Sequence, residues 1–319
     1  MSDVNIEVEA VSCAVCGSSD SEQAALSKDY EYETTDMEFR FVRCSCCGHV
    51  YLNPRPCMQC AHAIYPKNYY TVSGAKTAAV WILDGLKERV LYARVADLLA
   101  STPMGGCVLE VGSGDGALLS SIKSKRPDLS LTALDLQFSR DVKERMSAMD
   151  VTVLEMPIEQ ARLERKYDLI IMNQLIEHVW DVRGCIAKLS DALNPGGIIS
   201  MSTPDLNGYD RRWFKDGAWG GYYTPRHLNI FSYSALERIC GEYGLSVRYS
   251  RRLVAPMVWV RSFHNWLKIR RNPAAAFFVD GNLMLVALFT LIDKLAIVFG
   301  LRTSNQQLVF VNREHRGDS

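Results

Sequence analysis

The chain has no excess of charge of either sign, since Lys plus Arg and Asp plus Glu both count 36 in 319 residues. That balance excludes a global field drawing the protein to nucleic acid, so any basic surface has to be local. The first residues, M-S-D-V-N-I-E-V-E-A, lack the basic start and apolar core of a signal peptide, which predicts a cytoplasmic protein. Internal repeats and low-complexity tracts are missing as well. The most apolar segment, F-F-V-D-G-N-L-M-L-V-A-L-F-T-L-I-D-K-L-A-I-V-F-G, is broken by Asp280, Asp293 and Lys294. No uncharged run there reaches the ~20 residues that span a bilayer. Acidic residues are absent between Glu242 and Asp280, while Arg248, Arg251, Arg252, Arg261, Lys268, Arg270 and Arg271 fall inside that interval. A basic, Trp-containing stretch beside an apolar helix suits an anionic membrane, so peripheral contact at its inner face through 248–300 is one expectation. A buried or dimer-forming helical cap is the other, and the oligomeric state is left open.

What is present is ample apolar material, 48% of residues, and ten cysteines. In a chain without an export signal, cysteines point to metal or free thiols rather than a disulfide framework. Residues 1–56 have few long apolar runs around paired cysteines and need a staple. Residues 57–100 include A-V-W-I-L-D-G-L-K-E-R-V-L-Y-A-R-V-A-D-L-L-A, whose apolar spacing predicts a connecting helix that docks on the next domain. From residue 101 to 319, short apolar strands alternate with helices, broken only by a helical insertion at about 251–305. Such alternation predicts an α/β fold with a parallel, doubly wound sheet and ligands at the carboxyl ends of its strands.

C-A-V-C-G at 13–17 and C-S-C-C-G at 44–48 each set two thiols three residues apart before a glycine. Two such knuckles make a closed site, so structural zinc on Cys13, Cys16, Cys44 and Cys47 is expected, with Cys46 a substitute ligand. Cys57 and Cys60 share the spacing but lack the glycine.

Residues 109–116 read L-E-V-G-S-G-D-G. Gly112, Gly114 and Ala117 fit the dinucleotide fingerprint, whereas Glu110 with Gly112, Gly114 and Gly116 fit a turn for S-adenosylmethionine; the turn by itself serves either. Asp135, 19 residues beyond Gly116, closes the next strand where a carboxylate can bind ribose hydroxyls of either cofactor.

Three further segments follow in order: Y-D-L-I-I-M-N-Q-L-I-E-H-V at 167–179, L-N-P-G-G-I-I at 193–199, and P-R-H-L-N-I-F-S at 225–232. With these the chain resembles class I S-adenosylmethionine-dependent methyltransferases, in the branch similar to ubiquinone-biosynthesis O-methyltransferases, over about 107–250 and the closing strand near 307. C-G-H-V-Y-L-N-P-R-P and I-Y-P-K-N-Y-Y resemble the leader of bacterial relatives that carry an N-terminal zinc-binding module. The resemblance implies a Rossmann-like seven-stranded methyltransferase sheet preceded by a small zinc-ribbon-like module. It implies S-adenosylmethionine held by Glu110, Gly112, Ser113, Gly114, Gly116, Asp135, Ile158 and Asn173, with Glu110 organising the turn around the methionyl amino group. Met156 and Pro157 depart from the family pattern near the adenine.

Methyl transfer needs the acceptor aligned and water excluded. A hydroxyl acceptor gains from a base, and His178 and His227 lie in loops on the ligand side, each alternatively a loop-organising hydrogen-bonding residue. Trp213, Trp219, Tyr222 and Tyr223, within 204–233, are expected to wall an acceptor pocket. The reading is O-methylation of a small molecule or saccharide, including a lipid-linked or cell-envelope glycan. An RNA methyltransferase is the alternative, disfavoured because the only cation between Asp3 and Asp36 is Lys28 and because N-Q-L-I stands where base methylators place N-P-P. A non-catalytic zinc-ribbon interaction protein is a third reading, and a nicotinamide enzyme leaves the Glu-His and Pro-Gly-Gly segments unexplained.

Overall fold

The computed structural model describes residues 6–65, 78–214 and 217–312. Residues 66–70 of the I-Y-P-K-N-Y-Y segment, 215–216 of the aromatic stretch and Arg313 of the last strand segment lie outside them. The front of the chain forms β1 (Val8–Glu9), β2 (Ser21–Ser27), β3 (Phe39–Cys44), β4 (Val50–Leu52), β5 (Arg55–Pro56) and the single-turn helix α1 (Ala61–Ile64). Helix α2 (Ala78–Ser101) leads into the alternating region. There follow β6 (Cys107–Val111), α3 (Ala117–Lys125), β7 (Ser130–Asp135), α4 (Arg140–Ala148), β8 (Val151–Glu155), β9 (Tyr167–Asn173), α5 (Val182–Asp191) and β10 (Leu193–Pro204). The chain ends through β11 (Asn229–Ile230), α6 (Tyr233–Gly241), β12 (Leu245–Leu253), α7 (Pro256–Ile269), α8 (Leu283–Val298) and β13 (Asn305–Asn312).

The main sheet has seven strands in the order β12-β13-β10-β9-β6-β7-β8. β10, β9, β6, β7 and β8 pair in parallel, as the alternation predicts. β13 enters antiparallel to both of its neighbours, which makes the sheet mixed. Strands such as Y-D-L-I-I-M-N are apolar on both faces because both are covered. Leu109, Ile170 and Met172 pack with Ile186 of α5 and Leu236 of α6. Val108, Leu169 and Ile171, one residue out of phase, pack with Leu98 of α2, Leu119 of α3 and Met146 of α4. Period-two alternation thus divides each strand between two helical layers.

The helix starts follow their caps: Ser139 accepts from the Val142 amide, Asp181 from Gly184 and Ser232 from Ala235. Docking of α2 runs through its Asp97, which accepts from Tyr249 Oη at 2.6 Å and Arg251 at 2.9 Å. The Pro-Gly-Gly segment is not a separate turn: β10 begins at Leu193 and carries a register shift between Leu193 and Ile198.

A second sheet has the order β11-β4-β3-β2, so residues 229–230 complete the sheet begun by the cysteine-bearing segment. Phe41 and Leu52 of this sheet share a core with Trp219, Tyr222, Trp259 of α7 and Phe289 of α8. Arg183 of α5 donates to the carbonyls of Ala14 and Val15 at 2.9 and 2.8 Å, tying the first knuckle to the main domain.

Candidate active site

The glycine-rich turn joins β6 to α3 at the carboxyl edge of the main sheet. Gly112, Gly114 and Gly116 all have positive φ, at 79°, 53° and 68°. L side chains rarely adopt that conformation, so the glycine spacing is a requirement of the turn. A Cβ on Gly116 would lie 2.0 Å from Met146 Cε, whereas one on Gly114 would meet nothing within 4 Å. Gly116 is therefore a packing glycine, and Gly114 faces open space. The Gly114 amide donates to Asp135 Oδ2 at 2.7 Å, and the Leu136 amide to Oδ1 at 2.7 Å. Asp135 thus holds the turn itself, and burial raises its pKa against the pull of those amides.

Beside the turn lies a cleft of about 480 Å³. Glu110, Gly112, Ser113, Gly114, Asp135, Ile158, Asn173 and His178 all line it; Gly116 and His227 are not among its lining residues. Asn173 Nδ2 and Gln174 Nε2 are buried at its edge with no hydrogen-bond partner. Gln174 has φ 51°, a left-handed conformation for a residue with a side chain. Two orphaned donors, an open glycine turn and the amino end of α3 suit an adenosyl and amino-acid ligand, so the residues fit S-adenosylmethionine.

The acceptor side of the cleft has a different chemistry. His178 ends a single 3-10 turn, Ile176–His178, that follows β9. Its Nδ1 lies 3.1 Å from the Arg226 carbonyl and 3.0 Å from Tyr65 Oη. A carbonyl only accepts, so Nδ1 carries the proton and Nε2 keeps a lone pair. His227 repeats the pattern, with Nδ1 2.8 Å from the Gly221 carbonyl, and its ring packs edge-on at 4.6 Å from that of His178. Burial lowers His178 to about 4 and pushes His227 well below its ordinary value, so both are neutral at pH 7. Behind them Glu177 is fully buried, its Oε1 4.0 Å from His227 Nε2, and burial raises its pKa to about 8. Donor atoms of Glu177, His178 and His227 lie within 4.8 Å of one another.

Of the four aromatic residues expected to wall an acceptor pocket, Tyr223 alone lines the cleft. Trp219 and Tyr222 are fully buried core residues, and Trp213 is exposed. The reason is polar as well as apolar: Trp219 Nε1 donates to the buried Asp210 at 2.9 Å, which pins the indole inward. The walls that the sequence concealed are Tyr32 and Tyr65, contributed by the front segment. Tyr65 sat in a family-like I-Y-P triplet that could have signalled it, while Tyr32 has no local signature. Arg226 explains how Tyr32 arrives: its fully buried guanidinium donates to Asp29 at 2.8 and 3.1 Å, and Asp29 accepts from the Tyr32 amide at 3.0 Å.

The knuckles form a separate site. Cys13 Sγ and Cys47 Sγ are 3.6 Å apart, Cys16 Sγ and Cys44 Sγ 3.4 Å, and all four converge within 4.8 Å. A tetrahedral ion with sulfur bonds of about 2.3 Å places its ligands about 3.8 Å apart, so the donor set fits zinc. Cys46 is exposed and outside the group. Cys57 and Cys60 form their own contact at 3.0 Å. His49, buried and 3.1 Å from Asn229 Oδ1, links β4 to β11 and is lowered to about 4 by burial.

Residues 85–250, just over half of the chain, match the family described as methyltransferase domain. A malonyl-acyl-carrier protein O-methyltransferase of Acetivibrio thermocellus is 33% identical over 101 residues, 30% of this chain and 35% of that protein. The chain therefore spans about a third of the length of that relative. A protein of Mycolicibacterium smegmatis named "probable S-adenosylmethionine-dependent methyltransferase" is 26% identical over 246 residues, 68% of this chain and 91% of its own. Among solved structures, coclaurine N-methyltransferase bound to N-methylheliamine and SAH is similar with a TM-score of 0.47 and 17% identity, covering 76% of each chain. By its matched residues the chain belongs to the methyltransferase domain family.

Proposed function

We propose that this methyltransferase moves a methyl group from S-adenosylmethionine to a hydroxyl of a small-molecule or saccharide acceptor. One observation supports it above others: the glycine turn and His178 line one cleft. Gly112, Ser113, Gly114, Asn173 and Ile158 would hold the cofactor, with Glu110 near its amino-acid end and Asp135 fixing the turn. When bound, the cofactor supplies a methyl group activated by a sulfonium. His178 Nε2 takes the proton from the acceptor hydroxyl, and the Arg226 carbonyl and Tyr65 hold the ring so that this nitrogen stays unprotonated. Tyr32, Tyr223 and Trp180 line the acceptor side and exclude water. His227 acts behind His178, as a neutral ring that keeps it in place.

The same reading assigns residues 1–56 to a zinc-binding module on Cys13, Cys16, Cys44 and Cys47, 57–100 to a helical linker and 101–319 to the transfer domain. The module's job is to present Tyr32 to the cleft, which the buried Asp29–Arg226 pair supports. A saccharide carried on a lipid at the inner face of the membrane is a compatible acceptor.

The experiment is incubation of the protein with methyl-labelled S-adenosylmethionine and cell extract separated into soluble, RNA and lipid fractions. Label in the soluble or lipid fraction, lost in His178→Gln, is the expected result. Label confined to RNA sinks the acceptor reading, and failure to bind S-adenosylmethionine sinks the cofactor reading.

A further inference from the structure

Helix α8 is apolar on both of its faces. The inner face is accounted for: Phe289 stacks on Trp259 at 5.4 Å, and the buried Asp293 accepts from Trp259 Nε1 at 2.9 Å and the Ala255 amide at 2.6 Å. The outer face carries Met284, Leu288, Leu291, Leu295 and Val298, spaced by three or four residues, with Phe299 just past its end, all exposed, from 49% at Leu288 to 79% at Val298. A helix apolar all round is normally buried, and a contiguous apolar stripe of this size marks an interaction surface.

Charge tells what covers it. On the outer face the single charged residue is Lys294, because Asp293 turns inward. Arg270 and Arg271, at the end of α7, are exposed, and among the described residues neither they nor Lys294 has an ion-pair partner. The nearest exposed acid in sequence, Asp280, is engaged by Arg261 at 2.8 Å. A second copy of the chain related by a two-fold axis would bring these cations against their own copies, while the neighbouring carboxylates of Asp280 and Glu33 are already paired with Arg261 and Lys268. An anionic lipid surface answers it directly: apolar side chains enter the acyl boundary and the cations meet the head groups. The helix has 16 residues, about 24 Å, and one face belongs to the protein core, so it lies along the surface; among the described residues no helix is long and apolar enough to cross a membrane.

The position of this face has a consequence for the site. α8 packs on α7, α7 receives the Gly220 amide on Ser262 Oγ at 2.8 Å, and Arg261 lies over the Tyr223 ring at 4.6 Å. Tyr223 lines the cleft. We propose that the outer face of α8, with Lys294, Arg270 and Arg271, docks the enzyme in plane on an anionic membrane surface.

The test is flotation of the full chain with vesicles rich in phosphatidylglycerol and with pure phosphatidylcholine. Wild type is expected to float with the anionic vesicles. The double variant Leu291→Glu/Leu295→Glu should lose at least about tenfold in partitioning, since both side chains leave the acyl boundary as charges. Arg270→Ala/Arg271→Ala/Lys294→Ala should lose about a hundredfold on anionic vesicles and little on neutral ones. All these positions are exposed, so unchanged melting temperature and unchanged S-adenosylmethionine binding serve as the folding control. Absence of wild-type binding to anionic vesicles overturns the proposal, as does undiminished binding of the Glu variant. A stable dimer in light scattering that the Glu variant dissociates also overturns it, since the face is then an interface between copies. None of these readouts depends on methyl transfer, so failure of the acceptor reading leaves a distinct signature.

Discussion

Replacing Glu177 by Gln tests the buried centre of the site through stability rather than activity. Glu177 is completely buried, and neither carboxylate oxygen completes a hydrogen bond. Burial raises its pKa from 4.5 to about 8. A raised folded-state pKa means that the folded protein holds this proton while the unfolded chain gives it up. Its stabilising contribution is therefore complete below pH 4.5 and drains away as pH climbs to about 8. At about 1.4 kcal/mol per pH unit the ceiling on that loss is on the order of 4–5 kcal/mol. Glu177→Gln keeps the shape and removes the titration. His178 and His227 add an opposite trend below pH 6.5, because their depressed pKa values withdraw stability as pH falls, but both proteins share it. Urea unfolding followed by tryptophan fluorescence at pH 5, 6, 7 and 8 should then show wild type losing stability relative to the variant by several kcal/mol across the range. Parallel profiles for the two proteins would refute the placement of a neutral carboxyl behind the histidines.

Three more outcomes follow from the geometry. Asp29→Ala leaves the fully buried Arg226 guanidinium without its counter-charge, which costs about 3–5 kcal/mol in chemical denaturation and, by releasing Tyr32, raises the acceptor KM. Gly114→Ala meets no neighbouring atom but must hold φ at 53° with its methyl facing the cleft; S-adenosylmethionine affinity measured by calorimetry should fall about tenfold while the melting temperature drops by only a few degrees. Cys44→Ser should abolish metal retention in elemental analysis and lower the melting temperature, because β3 ends at that ligand and packs into the main core; an unchanged metal content would rule out the four-cysteine site.

Much of the fold was legible because it is repetitive physics. The alternation of apolar strands with helices, and the glycine-rich turn after β6, are local statements that a sequence carries in the open. The reversed direction of β13 was not, since Q-Q-L-V-F-V-N reads the same in either orientation and only its neighbours set the pairing. The Pro-Gly-Gly segment lies inside β10, where it marks an irregularity although proline and glycine ordinarily signal a turn.

For the site, the sequence carries the glycine turn and Asp135 in the open, because each lies at a strand end. It also determined the two knuckles, whose chemistry is written in three-residue spacings. Tertiary structure alone decided that Tyr32 and Tyr65 wall the cleft, that Trp219 and Tyr222 belong to the core instead, and that His227 stands behind His178. The physical reason is range: a backbone conformation depends on a residue and its neighbours. Which side chains meet across a cleft depends on buried pairs such as Asp29 with Arg226, whose partners are brought together only when the two sheets close on one core.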